Sequence, residues 1–469
     1  MRIVSNIISI TLGQAASIII LLVIFGYVTR HLEVAEFGQF NYWLAVIGIL
    51  SKGIDFGFGP ILLRECSKGN DCNNNISSVF IFRTFLFVGL LIVLNLFIFS
   101  YPTQTIILAN ILMANILFTS KDINFRDLLY IFFKKDLRMH IPAMVNLFDA
   151  ILLLILVIPI RFVDDKFNYF LIVYLVANIP GYLFIVMTVI KRYNLKLQFN
   201  FSNLKWLMRE SLPLYGFVFL SYIYLQLDIF MINYFEGEDS VGLYSAAVRV
   251  TRPLLIIPSA FVMTFVPILV KKIESKSEIQ KEVLLVLKLL MLMAIVFVNM
   301  FYFKASFFMT LIFGSKYLIA SDPARYLFVA LVFLFFNFFV LDLLTIHNKQ
   351  RYNLIYIIIV VISAFVFNLI FIPLYSINGA AFSRILSAMV GFGFLLVILR
   401  QIIGRLNFID LKLLFWIFVN IITVYFLKDE NILIYLLVSF LMIIFSLLIF
   451  KIFTSQEQSF ILSAFKKKK

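Results

Sequence analysis

Nine basic side chains fall inside long apolar runs: Lys52, Arg83, Lys121, Arg126, Arg249, Arg252, Lys288, Arg325 and Arg384. A charge at the centre of a lipid-embedded helix costs roughly 2.5–3.5 kcal/mol on insertion scales, so it normally faces a cavity or a partner. Four have simple explanations. Arg325 lies at a helix start and Lys288 close to a helix end, where both can snorkel to the interface. Lys121, Asp122, Arg126 and Asp127 can neutralise one another, with Asp122 and Arg126 at i, i+4.

The remaining five are more informative. Lys52 and Asp55 share one helix face at i, i+3, and Arg249 and Arg252 share another. An arginine fork binds phosphate-type oxygens bidentately and stays charged. Lys52, Arg83, Arg249, Arg252 and Arg384 are therefore expected to line a cationic, substrate-binding cavity for an anionic group. The plainer alternative is that they pair only with Asp55, Asp228 or backbone carbonyls. At about 1.5 Å per residue, Asp228 and Arg249 lie at matching depths on the two helices of a hairpin, so a buried pair is expected there. Asp55, Asp228 or Asp342 could instead carry a coupling proton or sodium ion, and the sequence does not choose among them.

The elements that must position these charges are membrane spans. The chain has 469 residues, 63% of them hydrophobic and 14% charged, with a mean hydropathy of +1.03. Soluble domains run nearer half apolar and a quarter charged, so the solvent for most of this chain is lipid. The net charge of +15 does not point to nucleic acid, because its charges sit in short loops between apolar runs. Stretches long enough to span fall at 5–28, 39–62, 78–100, 103–132, 141–163 and 168–191, then 212–235, 243–271, 282–303, 322–346, 353–375 and 377–400. A last pair falls at 410–427 and 431–453. The expectation is an all-α integral membrane protein of about 14 transmembrane helices. The segment at 103–132 is interrupted by charge, and a shorter span followed by an interfacial helix is the alternative there.

With the N-terminus inside, the inner loops carry about 25 basic residues and the outer loops about 6, which is the bias the positive-inside rule requires. Both termini are then cytoplasmic, and Lys466–Lys469 anchors the tail at the anionic inner leaflet. Only Arg2 precedes the first apolar run, which is too long for a cleavable signal peptide. Cys66 and Cys72 share one inner loop without a zinc spacing, and are expected to be free thiols in a reducing compartment. His31, His140 and His347 fall at helix ends and form no metal set. No Walker loop or nucleophile elbow is present, so neither a catalytic residue nor a cofactor is expected.

Two stretches recur in order. Glu36-Phe37-Gly38-Gln39-Phe40 matches Ser240-Val241-Gly242-Leu243-Tyr244 in Gly-x-aromatic after an acidic loop. Phe58-Gly59-Pro60-Ile61-Leu62-Leu63-Arg64 matches Phe265-Val266-Pro267-Ile268-Leu269-Val270-Lys271. The halves are read as two six-helix lobes in one orientation, with a substrate cavity between them. The division is 1–192 for the first lobe, 193–211 for an interfacial linker around Trp206, and 212–402 for the second lobe. Residues 403–469 hold two further helices and the basic tail. Pro60 and Pro267 are expected to kink equivalent helices.

Several stretches taken together resemble the polysaccharide flippases of the multidrug/oligosaccharidyl-lipid/polysaccharide exporter superfamily, especially O-antigen flippases. They include Ala35-Glu36-Phe37-Gly38-Gln39-Phe40, Ile54-Asp55-Phe56-Gly57-Phe58 and Leu63-Arg64-Glu65, then Ser211-Leu212-Pro213, Gln226-Leu227-Asp228 and Val241-Gly242-Leu243-Tyr244. Ile257-Pro258, Val266-Pro267, Phe367 to Tyr375 and Ile377-Asn378-Gly379-Ala380-Ala381 complete the set. The resemblance implies a multi-pass protein of the bacterial inner membrane. It would move undecaprenyl-diphosphate-linked oligosaccharide, an O-antigen or capsule repeat unit, from inner to outer leaflet by alternating access. The implied partners are that lipid-linked oligosaccharide, membrane lipids, a polysaccharide polymerase and a chain-length regulator. A membrane polymerase or ligase for the same lipids is one alternative, weakened by the short outer loops. A cation-coupled multidrug antiporter is another, weakened by the basic cavity.

Overall fold

The computed structural model describes residues 2–119, 125–258, 261–262, 265, 269, 276–404, 406, 411–449 and 457. The expected spans resolve into more helical pieces than there are spans. In chain order they are α1 Arg2–Thr29, α2 Val34–Asp55, α3 Phe58–Ser67, α4 Cys72–Ile98 and α5 Thr103–Phe118. There follow α6 Phe125–Lys135, α7 His140–Val157, α8 Lys166–Val176, α9 Ile179–Tyr193 and α10 Phe201–Glu236. The chain continues through α11 Glu238–Thr251, α12 Lys276–Phe301, α13 Ala305–Phe313 and α14 Ser321–Ile346. Arg351–Ile403 holds two helices, α15 (351–375) and α16 (377–403), which meet at Ser376 with φ 52° and ψ −134°. α17 Leu411–Phe426 and α18 Ile432–Ile449 complete the set.

Among the described residues, nine helical stretches are long and apolar enough to cross a membrane, and four shorter apolar helices accompany them. The protein is an all-helical, multi-pass membrane protein. By packing, the chain divides into two units, Met1–Gly242 and Leu243–Lys469. In the first unit α10 packs on α2, α3 and α4, so this division falls after the 193–211 segment. That segment is non-helical from 194 to 200 and hydrogen-bonded to the start of α4. Ser77 Oγ donates to Gln198 O at 2.8 Å, and Ser78 Oγ accepts from Asn200 N at 3.0 Å. The stretch around Trp206 is helical, and α10 runs on without interruption through Pro213.

Several local expectations change. Cys66 and Cys72 are bonded to each other as a disulfide and are not free thiols. The tight turn over 68–71 brings the end of α3 against the start of α4, and both sulfurs are buried in an apolar cluster. The span at 103–132 is two helices. α6 packs into the first unit, with Leu128 through Phe133 all buried against α3, α4, α5, α7 and α9. Lys121, Asp122 and Pro267 lie outside the described residues, as does the Lys466–Lys469 tail. Lys288 does not snorkel: it is buried and lies 3.7 Å from Glu457. Arg325 does sit at its helix start, paired with Asp322 at 2.6 Å.

Candidate functional site

The membrane span predicted at 39–62 is broken. α2 stops at Asp55 because Phe56 (φ 50°) and Gly57 (φ 66°) both adopt left-handed backbone, and α3 restarts at Phe58. Phe56 adopts a conformation that costs a non-glycine residue roughly 1–2 kcal/mol. Gly57 adopts it at little steric cost, and α10 exploits the missing side chain: a Cβ there would lie 3.3 Å from Tyr215 Cα. Pro60 does not make the kink. It falls in the first turn of α3, where its absent N–H has no helical partner to lose.

A helix that ends inside the membrane leaves carbonyl groups without partners and a partial negative charge. Asp55 adds a full one. Arg83 from α4 answers both: its Nη2 donates to Asp55 O at 3.1 Å and to the Asp55 carboxylate. The guanidinium is 2% exposed, and it lies over the Phe58 ring at 5.9 Å. Phe56 stacks on Tyr215 at 5.2 Å, and Tyr215 on Phe219 at 5.4 Å, so aromatic rings wall the break. One turn before the break, the Lys52 ammonium lies 5.4 Å from the Tyr222 ring centre, a cation–π contact.

The first unit thus brings Asp55 and Arg83 into direct contact and holds Lys52 on the same helix. Asp228, 1% exposed, is also in this unit. The other expected site residues belong to the second unit. Arg384 is buried on α16, Arg249 is half-buried at the end of α11, and Asp342 is exposed on α14. Arg252 is exposed and opens the 3₁₀ turn Arg252–Leu255, which follows the end of α11 at Thr251. The expected continuous face through Arg249 and Arg252 is interrupted there.

A second charged pair in the first unit went unread in the sequence. Arg126 reaches beyond its own helix: its Nη1 donates to Asp149 Oδ2 of α7 at 2.5 Å and to Phe118 O at 3.2 Å, while Asp122, its expected partner, lies outside the described residues. Asp127 pairs instead with Lys134 at 3.1 Å. Asp149 was legible only as a single acid inside the apolar segment 141–163. Nothing in its spacing pointed to a residue 23 positions earlier. Tyr215 and the broken helix were likewise missed, although the alternation Phe56-Gly57-Phe58-Gly59-Pro60 carries the signal of a break.

The profile of the family described as polysaccharide biosynthesis protein matches residues 3–272. The chain belongs to this family. Its structure is similar to that of a lipid II flippase, MurJ, in an inward closed conformation, with a TM-score of 0.71 at 16% identity over 96% of this chain and 98% of that one. It is also similar to VcmN, a MATE transporter of Vibrio cholerae, with a TM-score of 0.60 at 13% identity over 86% and 98% of the two chains. A superfamily transporter from Pyrococcus furiosus gives 0.60 at 17% identity over 85% and 96%. At these identities the likeness establishes the fold. A search of curated protein sequences finds no match.

Proposed function

We propose that this family member is a flippase. Its substrate is undecaprenyl-diphosphate-linked oligosaccharide, the repeat unit of an O-antigen or capsule, carried from inner to outer leaflet by alternating access. The observation that carries the reading is Arg83, a guanidinium buried within a membrane-spanning segment at a broken helix. A fixed cation at such a place suits the diphosphate of a lipid carrier, whose apolar tail can stay in the bilayer while the polar head crosses. Lys52 lies on α2, the helix that ends at this break, one turn before Asp55. Family membership and the likeness to a structure titled lipid II flippase support the same substrate class.

In this reading the protein sits in the bacterial inner membrane with both termini cytoplasmic, and works beside a polymerase and a chain-length regulator. Transport is coupled to a proton or sodium ion. The test is a vesicle assay in which a fluorescent undecaprenyl-diphosphate disaccharide is scored for leaflet exposure. Native protein should equilibrate the probe between leaflets, and Arg83→Ala should not. Transport of cationic dyes with no effect on the lipid probe would assign the drug-antiporter activity instead.

A further inference from the structure

The Arg126–Asp149 pair is an expensive object to keep in a membrane protein. Arg126 is 0% exposed and Asp149 3%. A buried ion pair of this kind adds little stability over well-packed apolar side chains of the same size. Here the satisfaction is also incomplete: Arg126 Nε and Nη2 have no hydrogen-bond acceptor among the described residues. Room for the pair comes from Gly181 on α9, where a Cβ would fall 2.8 Å from Arg126 Nη2 and closer still to the Asp149 carboxylate. Three helices and the end of a fourth therefore meet on one ion pair.

Polar groups continue from it. Phe118, whose carbonyl accepts from Arg126, is followed by Thr119. Thr119 lines a cavity of about 20 Å³ together with Ser51 and Asn115. That space is enough for about one water molecule. Asn115 Oδ1 accepts from Asn178 at 3.2 Å, and Asn178 precedes Gly181 by less than a helical turn. A water-sized cavity, largely apolar but carrying the side chains of Ser51, Asn115 and Thr119, thus lies one residue from the carbonyl that holds Arg126.

We infer that Asp149 is a proton-binding site coupled to the transport cycle, with Arg126 as its exchange partner. The inference rests on the transporter reading above. Proton uptake is simple addition: one proton from water joins a carboxylate oxygen of Asp149, and the ion pair becomes a neutral acid beside a cation. Arg126 then keeps Phe118 O and the Tyr130 ring, 5.7 Å away, as partners for a full charge in lipid. That imbalance favours a different packing of α5, α6, α7 and α9, and loss of the proton restores the present one.

On the elements packed against α7, Tyr182 of α9 follows Gly181 and lies 5.4 Å from the Phe118 ring, and other titratable groups make bonds of their own. Tyr27 on α1 donates to Ile158 O, Tyr169 on α8 to Leu156 O, and Tyr130 on α6 to Asn146. Arg161, Lys191 and Arg192 lie at helix ends, and His140 opens α7 itself.

The test is infrared titration of the full-length protein in phosphatidylethanolamine–phosphatidylglycerol vesicles, with carbon-13 at aspartate carboxyl groups. A protonated-carboxyl band that titrates, shifts with the label and vanishes in Asp149→Asn is expected. Its absence from the native protein, or its loss in Asp55→Asn but not in Asp149→Asn, overturns the inference. The native measurement needs no variant, so a misfolded substitution cannot blur it. With the fluorescent lipid probe, an inward-directed and an outward-directed pH gradient should change native flux in opposite senses. In Asp149→Asn the ratio of the two fluxes should fall to one. A purely structural pair would lower both fluxes and preserve their ratio, which would overturn the coupling role. Absence of lipid flux in native protein, with the band still titrating, would instead count against the substrate reading.

Discussion

Gly38 and Gly242, the glycines that head the two matching stretches of sequence, sit against each other in the structure. A Cβ on Gly38 would lie 2.9 Å from Gly242 N, and one on Gly242 would lie 3.2 Å from Gly38 N. The contact is reciprocal: α2 and the start of α11 cross backbone to backbone, where a side chain on either would meet main-chain atoms. Carbonyls of Glu238 and Val34 would be struck first. This is the small-residue packing by which membrane helices approach closely in the absence of a hydrophobic drive between them.

Gly38→Ala and Gly242→Ala should therefore each destabilise the protein, because backbone cannot swing aside as a side-chain end can. Overpacking of this kind costs about 1–3 kcal/mol. The check is thermal unfolding in detergent, with Gly53→Ala as the control, since nothing lies within 4 Å of a Cβ built at that glycine. Equal melting temperatures for all three variants would refute the close crossing.

Arg83 and Asp55 make a second testable pair. Removing one partner leaves a buried charge uncompensated, which costs about 3–5 kcal/mol. Arg83→Ala should lower protein levels and abolish surface polysaccharide. The double variant Arg83→Leu with Asp55→Asn should recover the levels and not the polysaccharide. Immunoblot and glycan staining of the same cells separate the two effects. Recovery of both would reduce Arg83 to a structural cap.

The sequence made the helices legible because lipid demands long apolar runs and loops concentrate the basic charge. Ser376 even falls between the predicted spans 353–375 and 377–400. Hydropathy hid the breaks within spans, at Phe56–Gly57 and between α8 and α9, because apolar composition runs straight through them, and only the glycine–phenylalanine alternation marked the first. Charged residues inside spans were visible, but their partners were not. Arg126 found Asp149 across a helix pair, and hydropathy carries no information on which faces meet. The disulfide was hidden for another reason. A positive-inside loop argued for a reducing compartment, whereas the sulfur pairing follows from how α3 and α4 end.

That disulfide makes a direct prediction. Native protein denatured without reductant should take up no maleimide at Cys66 or Cys72, and two equivalents after reduction, read by intact mass. Cys66→Ser should cost about 2 kcal/mol by loop-closure entropy for so short a ring. Two labels without reductant would return the residues to the free thiols expected from sequence.

Gly57 should tolerate no substitution cheaply. Its φ of 66° costs a residue with a Cβ roughly 1–2 kcal/mol, and the Cβ would press on Tyr215 at 3.3–3.4 Å. Gly57→Ala should lower the melting temperature and slow lipid flux together, since the strain acts on the break that holds Asp55. Gly57→Asn should be the milder change, because asparagine enters left-handed backbone more readily. An alanine variant as stable as native protein would show that α2 and α3 form one continuous helix.

His31, in the turn after α1, gives the pH dependence. Burial, then the charges of Lys166, Arg161 and Arg30, hold its imidazole below the ordinary value of 6.5. The unfolded chain therefore binds this proton at a higher pH than the folded protein does. Stability from this group is complete above that ordinary value and is lost as pH falls through it, levelling off once the folded imidazole also protonates. Thermal melts at falling pH should show this acid-side loss, and His31→Gln should reduce it while leaving the alkaline melting temperature unchanged. An identical acid limb in His31→Gln would mean that other groups carry the whole dependence.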